Sequence, residues 1–273
     1  MVNHLDQMTK LLLVYGPGHK FESSGDARSR LASYRNAKEL IDMKDILFML
    51  ADLWMIFAGF YFGWKFIRRY NNYLLGLEWM VVATSGSNFL LWALLGGAED
   101  SFLYSIAAFF DAFSRSIGIT LILVLGLMRV THRYKPSVAV DIGLFALAGV
   151  AGLYLQQFSP HELHVGPATF YVVVNVLTTM FLVYFSWRLW KIGAKKHAIG
   201  AGLATTAACI IAVTYDFFPI PGDDEHRTIF YIAALATWGF QMCVYYFAYR
   251  PLHEHNVATG VEPATGEQSA ARA

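Results

Sequence analysis

FLYSIAAFFDAFSRSIGITLILVLGLM, residues 102–128, decides the fold. As a helix the run is long enough to cross a hydrocarbon core of roughly 30 Å, which takes about 20 mostly apolar residues. Two of its residues do not suit lipid: Asp111 and Arg115, one helical turn apart near its middle. A charge at bilayer depth costs several kcal/mol on insertion scales unless it is paired or faces an interior cavity. The stretch therefore belongs to a bundle whose interior compensates both groups.

Outward from it lie six more stretches of the same kind: 45–64, 73–95, 138–156, 168–187, 197–218 and 229–249. Of the 273 residues 56% are hydrophobic and 16% aromatic, where a soluble domain stays at or below about half apolar. Mean hydropathy is +0.42. The expectation is an all-α polytopic integral membrane protein with about seven transmembrane helices. Residues 1–44 are read as an extramembrane segment, 45–250 as the transmembrane domain and 251–273 as a disordered tail. Asp26 is placed to cap a short amphipathic helix ending at Lys44, with Leu31, Tyr34, Leu40 and Ile41 roughly on one side. Such a helix suits a membrane surface, or serves as a solvated lead-in. Residues 1–25 lack the basic start and apolar run of a cleavable signal peptide.

A net charge of +1 offers no basic surface for nucleic acid. Cys209 and Cys243 both fall inside spans without metal spacing, so they read as packing residues. All nine histidines lie in loops, tails or span ends. No cofactor and no intramembrane metal is expected. His161 and His164, in SPHELH (159–164), have the one spacing suited to a surface metal.

Positive charge alternates along the chain. Lys65, Arg68 and Arg69 follow the first span, Arg129, Arg133 and Lys135 the third, and Arg188, Lys191, Lys195 and Lys196 the fifth. The other connections carry Glu99 and Asp100, no base at all, or Asp223, Asp224 and Glu225 against Arg227. The positive-inside rule then places the basic loops in the cytoplasm of a cell-membrane protein, with the N-terminus outside and the C-terminus inside. Lys44 and the other bases before it run against this. If the N-terminus is cytoplasmic, one span is re-entrant or interfacial.

At 1.5 Å per residue, Arg115 lies about 20 Å below one edge and Glu78 about 10 Å above the other. In a core of ~30 Å the two are level, and a three-membered cluster of Asp111, Arg115 and Glu78 is expected. Helical spacing puts Asp111, Ser114, Arg115 and Gly118 on one face of the third span. It groups Tyr171, Asn175, Thr178 and Thr179 on the fifth, and Thr205, Cys209 and Asp216 on the sixth. Asp216 reads as a hydrated helix-end charge. Asp52, Asn88, Asp111, Asn175 and Trp238 share the outer half and are expected to wall a cavity there. With Trp54, Phe109 and Phe110 nearby, its chemistry suits a cationic or hydrogen-bonding ligand with an aromatic part.

Seven spans resemble the architecture of microbial rhodopsins, but ALATWGFQMC (234–243) lacks the lysine that binds retinal. The chain is also similar in length and span count to the small membrane terpene cyclases. Their second-span Asn is followed four residues on by Glu, whereas Asn88 is followed by Trp92. The seven-helix zinc hydrolases are excluded by where the histidines fall. The reading that remains is a carrier or binding protein for a small molecule. Its site residues are Asp111, Arg115, Glu78, Asp52, Asn88, Asn175 and Trp238, which bind ligand or couple protons. The alternatives are a membrane-embedded acid–base enzyme acting on an isoprenoid or lipid, and an accessory subunit of a membrane complex. Expected partners are the lipid bilayer, a small-molecule ligand, and a second copy or another membrane protein. No catalytic residue can be named from the sequence.

Overall fold

The computed structural model describes the backbone of residues 24–158, 163–217, 220–224 and 227–260, with side chains from 43 onward. Among the described residues are seven helices: α1 (Ser24–Tyr70), α2 (Tyr73–Leu94), α3 (Phe102–Thr131), α4 (Val138–Leu155), α5 (Val165–Lys191), α6 (Lys195–Phe217) and α7 (Thr228–Ala258). Each contains a stretch long and apolar enough to cross a membrane, that of α1 being Met43–Tyr70. Large apolar side chains face outward, among them Phe57, Leu91, Leu153, Met180 and Phe240. The chain is a multi-pass, seven-helix membrane protein whose surroundings are a lipid bilayer.

Two boundaries differ from expectation. The N-terminal helix does not stop at Lys44; α1 continues through it into the membrane. No glycine or proline interrupts the chain between Gly25 and Gly59, so nothing breaks the helix there. At the other end α7 runs past 250 to Ala258 with Pro251 inside it. The segment expected to be disordered from 251 is therefore packed that far, with Leu252 and Asn256 buried. Asn256 donates to the Val130 carbonyl at 2.9 Å. The rest of that tail (261–273), the first 23 residues and His161 lie outside the described residues.

Helix ends follow from local chemistry. Asn72, Ser101 and Ser137 cap α2, α3 and α4, each accepting an N–H from the first turn. Asp223 accepts the N–H groups of Ile229 and Phe230, both at 2.9 Å, which satisfies the start of α7. α1 and α2 form a tight hairpin through Asn71 and Asn72, Asn71 taking the left-handed φ of 52°.

The α1–α2 pair is held at backbone contact. A Cβ on Gly59 would sit 2.6 Å from the Trp79 carbonyl, and one on Gly63 2.7 Å from that of Gly76. This is the close approach that small-xxx-small spacing permits between membrane helices. α7 packs on the other side of α1, and α5 and α6 complete the main core around Phe66, Phe185, Tyr245 and Tyr249. α4 is peripheral. Only its Ala148 and Gly152 are buried, Gly152 against Phe109 and Phe113.

The up-and-down order gathers the basic loops at one end, the basic face, and the acidic loops at the other, the acidic face. On the acidic face Lys44 pairs with Asp224 at 3.3 Å. The charge that ran against the loop pattern is thus matched by the loop before α7.

Candidate functional site

The centre of α3 is not an ordinary α-helix. Ser114–Ile122 is π-helical, a form that is rare and recurs at functional sites. Inside it Ser116 Oγ donates to the Phe113 carbonyl at 3.2 Å, and Thr120 Oγ1 to that of Ser116 at 2.7 Å. Hydroxyls that take up carbonyls in this way compete with the regular ladder. The wider turn separates Arg115 from Gly118, which share a face only at α-helical spacing.

Arg115 is buried, at 9% exposure, in a shell of four side chains. Its Nη1 donates to Asp111 Oδ2 at 3.3 Å and its Nη2 to Asp216 Oδ2. The guanidinium lies between two rings, 4.0 Å from the Tyr171 centroid and 3.8 Å from that of Tyr215. Both are cation–π contacts, which strengthen on desolvation. The Tyr215 hydroxyl donates to Asp111 Oδ1 at 2.8 Å and closes the ring of contacts. Two carboxylates on one cation leave a formal surplus of one negative charge. The next cation is Arg227, 5.5 Å from the Tyr215 ring.

Glu78 is not in this cluster. The sequence placed it at the right depth but could not set its azimuth. On the π-helical turn Arg115 faces α5 and α6, whereas Glu78 meets Gly118, where an added Cβ would come within 3.1 Å of its Cδ. Glu78 is 0% exposed, and neither carboxylate oxygen has a hydrogen-bond partner among the described residues. Asp52 is in the same condition on α1, fully buried and unpartnered beside Gly86.

Two small cavities lie next to these groups. The first, of about 30 Å³, is lined by Arg115, Asn175, Thr178, Thr205, Trp238 and Gln241, among others. The second, of about 20 Å³, is lined by Glu78, Trp238, Gln241 and Tyr245 with apolar neighbours. Ile119, Trp238 and Gln241 line both. A water needs about 10–15 Å³ on this measure, so each space is one or two waters in size. Ligand pockets for drug-sized molecules run to roughly 300–1,000 Å³, so this conformation is closed.

Of the residues expected to wall a cavity, Asn175 and Trp238 do so beside Arg115. Asn88 instead donates to the Leu103 carbonyl at 3.0 Å, tying α2 to α3. Asp52 lines neither cavity, and Asp111 reaches the site through Arg115 and Tyr215. Trp54 packs on Phe57 and Phe240, and Phe109 on Gly152, away from the cluster. The rings on the guanidinium are Tyr171 and Tyr215, and Tyr215 and Trp238 are the aromatic residues that line the cavity. Asp216 was passed over as a helix-end charge because it is one residue from the end of α6. It nevertheless reaches Arg115, in the middle of α3. The adjoining Tyr215 and the shared face with Thr205 and Cys209 were the available signals.

Among the described residues no group of three or more His, Cys, Asp or Glu is arranged to hold a metal. Comparison with protein families, curated proteins and solved structures finds no match to this chain. Fold and site together define a seven-helix membrane protein with ionisable groups inside the bundle.

Proposed function

We propose that the chain is a carrier or binding protein for a small cationic or hydrogen-bonding solute, with its site around Arg115. The observation that carries this is the intramembrane cluster of Asp111, Arg115, Asp216, Tyr171 and Tyr215 beside a polar, water-sized cavity. Ionisable groups inside a membrane bundle mark substrate and ion pathways. A cation entering the site meets a surplus negative charge on Asp111 and Asp216 and hydrogen-bonding groups on Asn175, Thr178 and Gln241. Two tyrosine rings already hold a guanidinium, so Arg115 acts as an internal occupant that a ligand cation displaces. The orientation that fits the loop charges puts the acidic face outside and the basic face in the cytoplasm.

Native mass spectrometry of protein extracted from its own membranes tests the reading. The expected result is a small solute retained by the unmodified chain and lost on Asp111→Asn, with the variant still folded. Equal retention by both proteins would overturn the role of Asp111. A stable complex with another membrane protein, without any solute, would favour an accessory subunit. A second reading, an acid–base enzyme in the membrane, is favoured by Glu78, a buried carboxyl without a partner. Turnover of an isoprenoid or lipid by the purified chain, lost on Glu78→Gln, would select it.

A further inference from the structure

We propose that Glu78 is a proton-binding site inside the bundle, loaded from the Arg115 cavity past Gln241. The proposal deepens the carrier reading by naming its coupling ion. Three observations meet at this residue. Its carboxyl is fully enclosed, with neither a cation nor a hydrogen-bond donor on it. Leaving an ion in that setting is costly, and gaining a proton removes the charge. It also lines a space the size of a water rather than being sealed in side chains.

The third observation is the connection. Gln241 lines the cavities on both sides, and its Nε2 lies 3.3 Å from the Tyr245 hydroxyl. Tyr245 in turn bonds the Thr205 hydroxyl at 2.8 Å, and Thr205 lines the Arg115 cavity. A chain of hydrogen-bonded groups, Thr205, Tyr245 and Gln241, therefore runs from the cavity beside Arg115 to the cavity beside Glu78. Asp52 is just as bare but lines neither cavity, which makes it the internal control.

The groups facing Glu78 come from three helices. Trp79 and Val82 are on α2, Gly118, Ile119 and Leu123 on α3, and Trp238, Gln241, Met242 and Tyr245 on α7. Tyr245 alone among them titrates, and none is charged. Arg115, the closest cation along α3, is engaged by Asp111 and Asp216. The step is a single proton transfer. A proton entering at the acidic face adds to a carboxylate oxygen of Glu78, giving a neutral carboxyl, and leaves by the same groups.

Infrared difference spectroscopy on the purified full chain in lipid nanodiscs tests this, with the pH stepped in light and heavy water. A carboxylic acid band is expected that shifts with isotope-labelled glutamate, disappears in Glu78→Gln and survives Asp52→Asn. Gln241→Leu should keep the band but slow its hydrogen–deuterium exchange roughly tenfold, the effect of about 1.4 kcal/mol of added barrier. At neutral pH, where exposed glutamates are ionised, a band that survives Glu78→Gln, or no glutamate acid band, would overturn the site. Exchange as fast in Gln241→Leu as in the unmodified chain would overturn the route. Should Glu78→Gln not fold, the glutamate label decides in the unmodified protein, since Glu78 is the one buried glutamate among the described residues. Solute retention in Asp111→Asn is read separately, so loss of the carrier reading and loss of the proton site are distinguishable.

Discussion

The two halves of the bundle differ in what surrounds their polar groups. Toward the basic face, polar groups bond directly across helices. Asn72 donates to the Gly126 carbonyl at 2.9 Å, Arg129 to that of Asn71 at 2.6 Å and Arg188 to that of Thr131 at 3.1 Å. Phe66, Tyr70, Trp79, Tyr246 and Tyr249 pack ring against ring beneath them. Toward the acidic face lies the Arg115 cluster with its cavity, and the smaller cavity at Glu78 sits between that cluster and the aromatic layer, with Trp79 on its wall. One half is thus built as a seal and the other as a site. Rings of α1, α2 and α7 meet in this layer, so the proposed carrier would have to part these helices there. Breaking the seal and breaking the site should therefore give different losses.

The largest expected effect is at the site. Arg115→Ala removes the cation from two carboxylates and leaves both charges uncompensated. The cost of removing one partner of a buried pair is roughly 3–5 kcal/mol, and here it falls toward the lower end because Asp111 is partly exposed. Thermal unfolding in detergent should show Arg115→Ala as the least stable single variant. Arg115→Lys should recover part of the loss, because an ammonium keeps the charge but cannot fork to both acids. If Arg115→Ala unfolds like the unmodified chain, the cluster is not holding the helices.

Next is Gly118→Ala, which forces a methyl group into the Glu78 carboxyl. Overpacking of this kind costs about 1–3 kcal/mol. Glu78→Ala in the same chain should relieve it, and a double-mutant cycle measures that coupling. Additive losses would mean that Glu78 does not face Gly118. The seal gives a smaller effect. Asn72→Ala removes a helix cap and a cross-helix bond, for roughly 1–2 kcal/mol. It should destabilise the protein without changing solute retention or the Glu78 band, whereas Asp111→Asn changes the first and Glu78→Gln the second.

The contrast between the halves was only partly legible in the sequence. Hydropathy alone located the seven spans, because in lipid the backbone leaves a helix no alternative. Depth is linear in residue number, which is why Arg115 and Glu78 read as near one level. Azimuth is not: the π-helical turn re-aims Arg115, and no single residue announces it. Asp216 reads as a hydrated end charge because it lies near the end of its span, and residue number does not show that Arg115 of another helix comes within its reach. Gly59 and Gly63 carry the small-xxx-small pattern that fixes α1 on α2, a spacing too common to stand out before the backbone contact is seen. The seal depends on side chains bonding to carbonyls of other helices, and such pairings leave no local signature.

The smallest effect belongs to the acidic face outside the membrane, where Asp224 joins α1 to α7. Burial by itself would raise its carboxyl, but the Thr228 N–H and hydroxyl and the Lys44 ammonium outweigh that and hold it below the usual carboxylate range. A group whose folded value is depressed stabilises the fold fully above its unfolded value. That contribution is lost as the pH falls toward the folded value. The loss therefore falls in the acid range, beginning near the ordinary Asp value of about 3.9. Since Lys44 and Asp224 are both partly exposed, the pair's share is only about 0.2–1 kcal/mol and shrinks with salt. Asp224→Asn should lower the melting temperature slightly at neutral pH and flatten the acid limb of the stability profile. An unchanged limb would mean that α1 is held at this end by packing alone, and that the Lys44 charge is matched elsewhere.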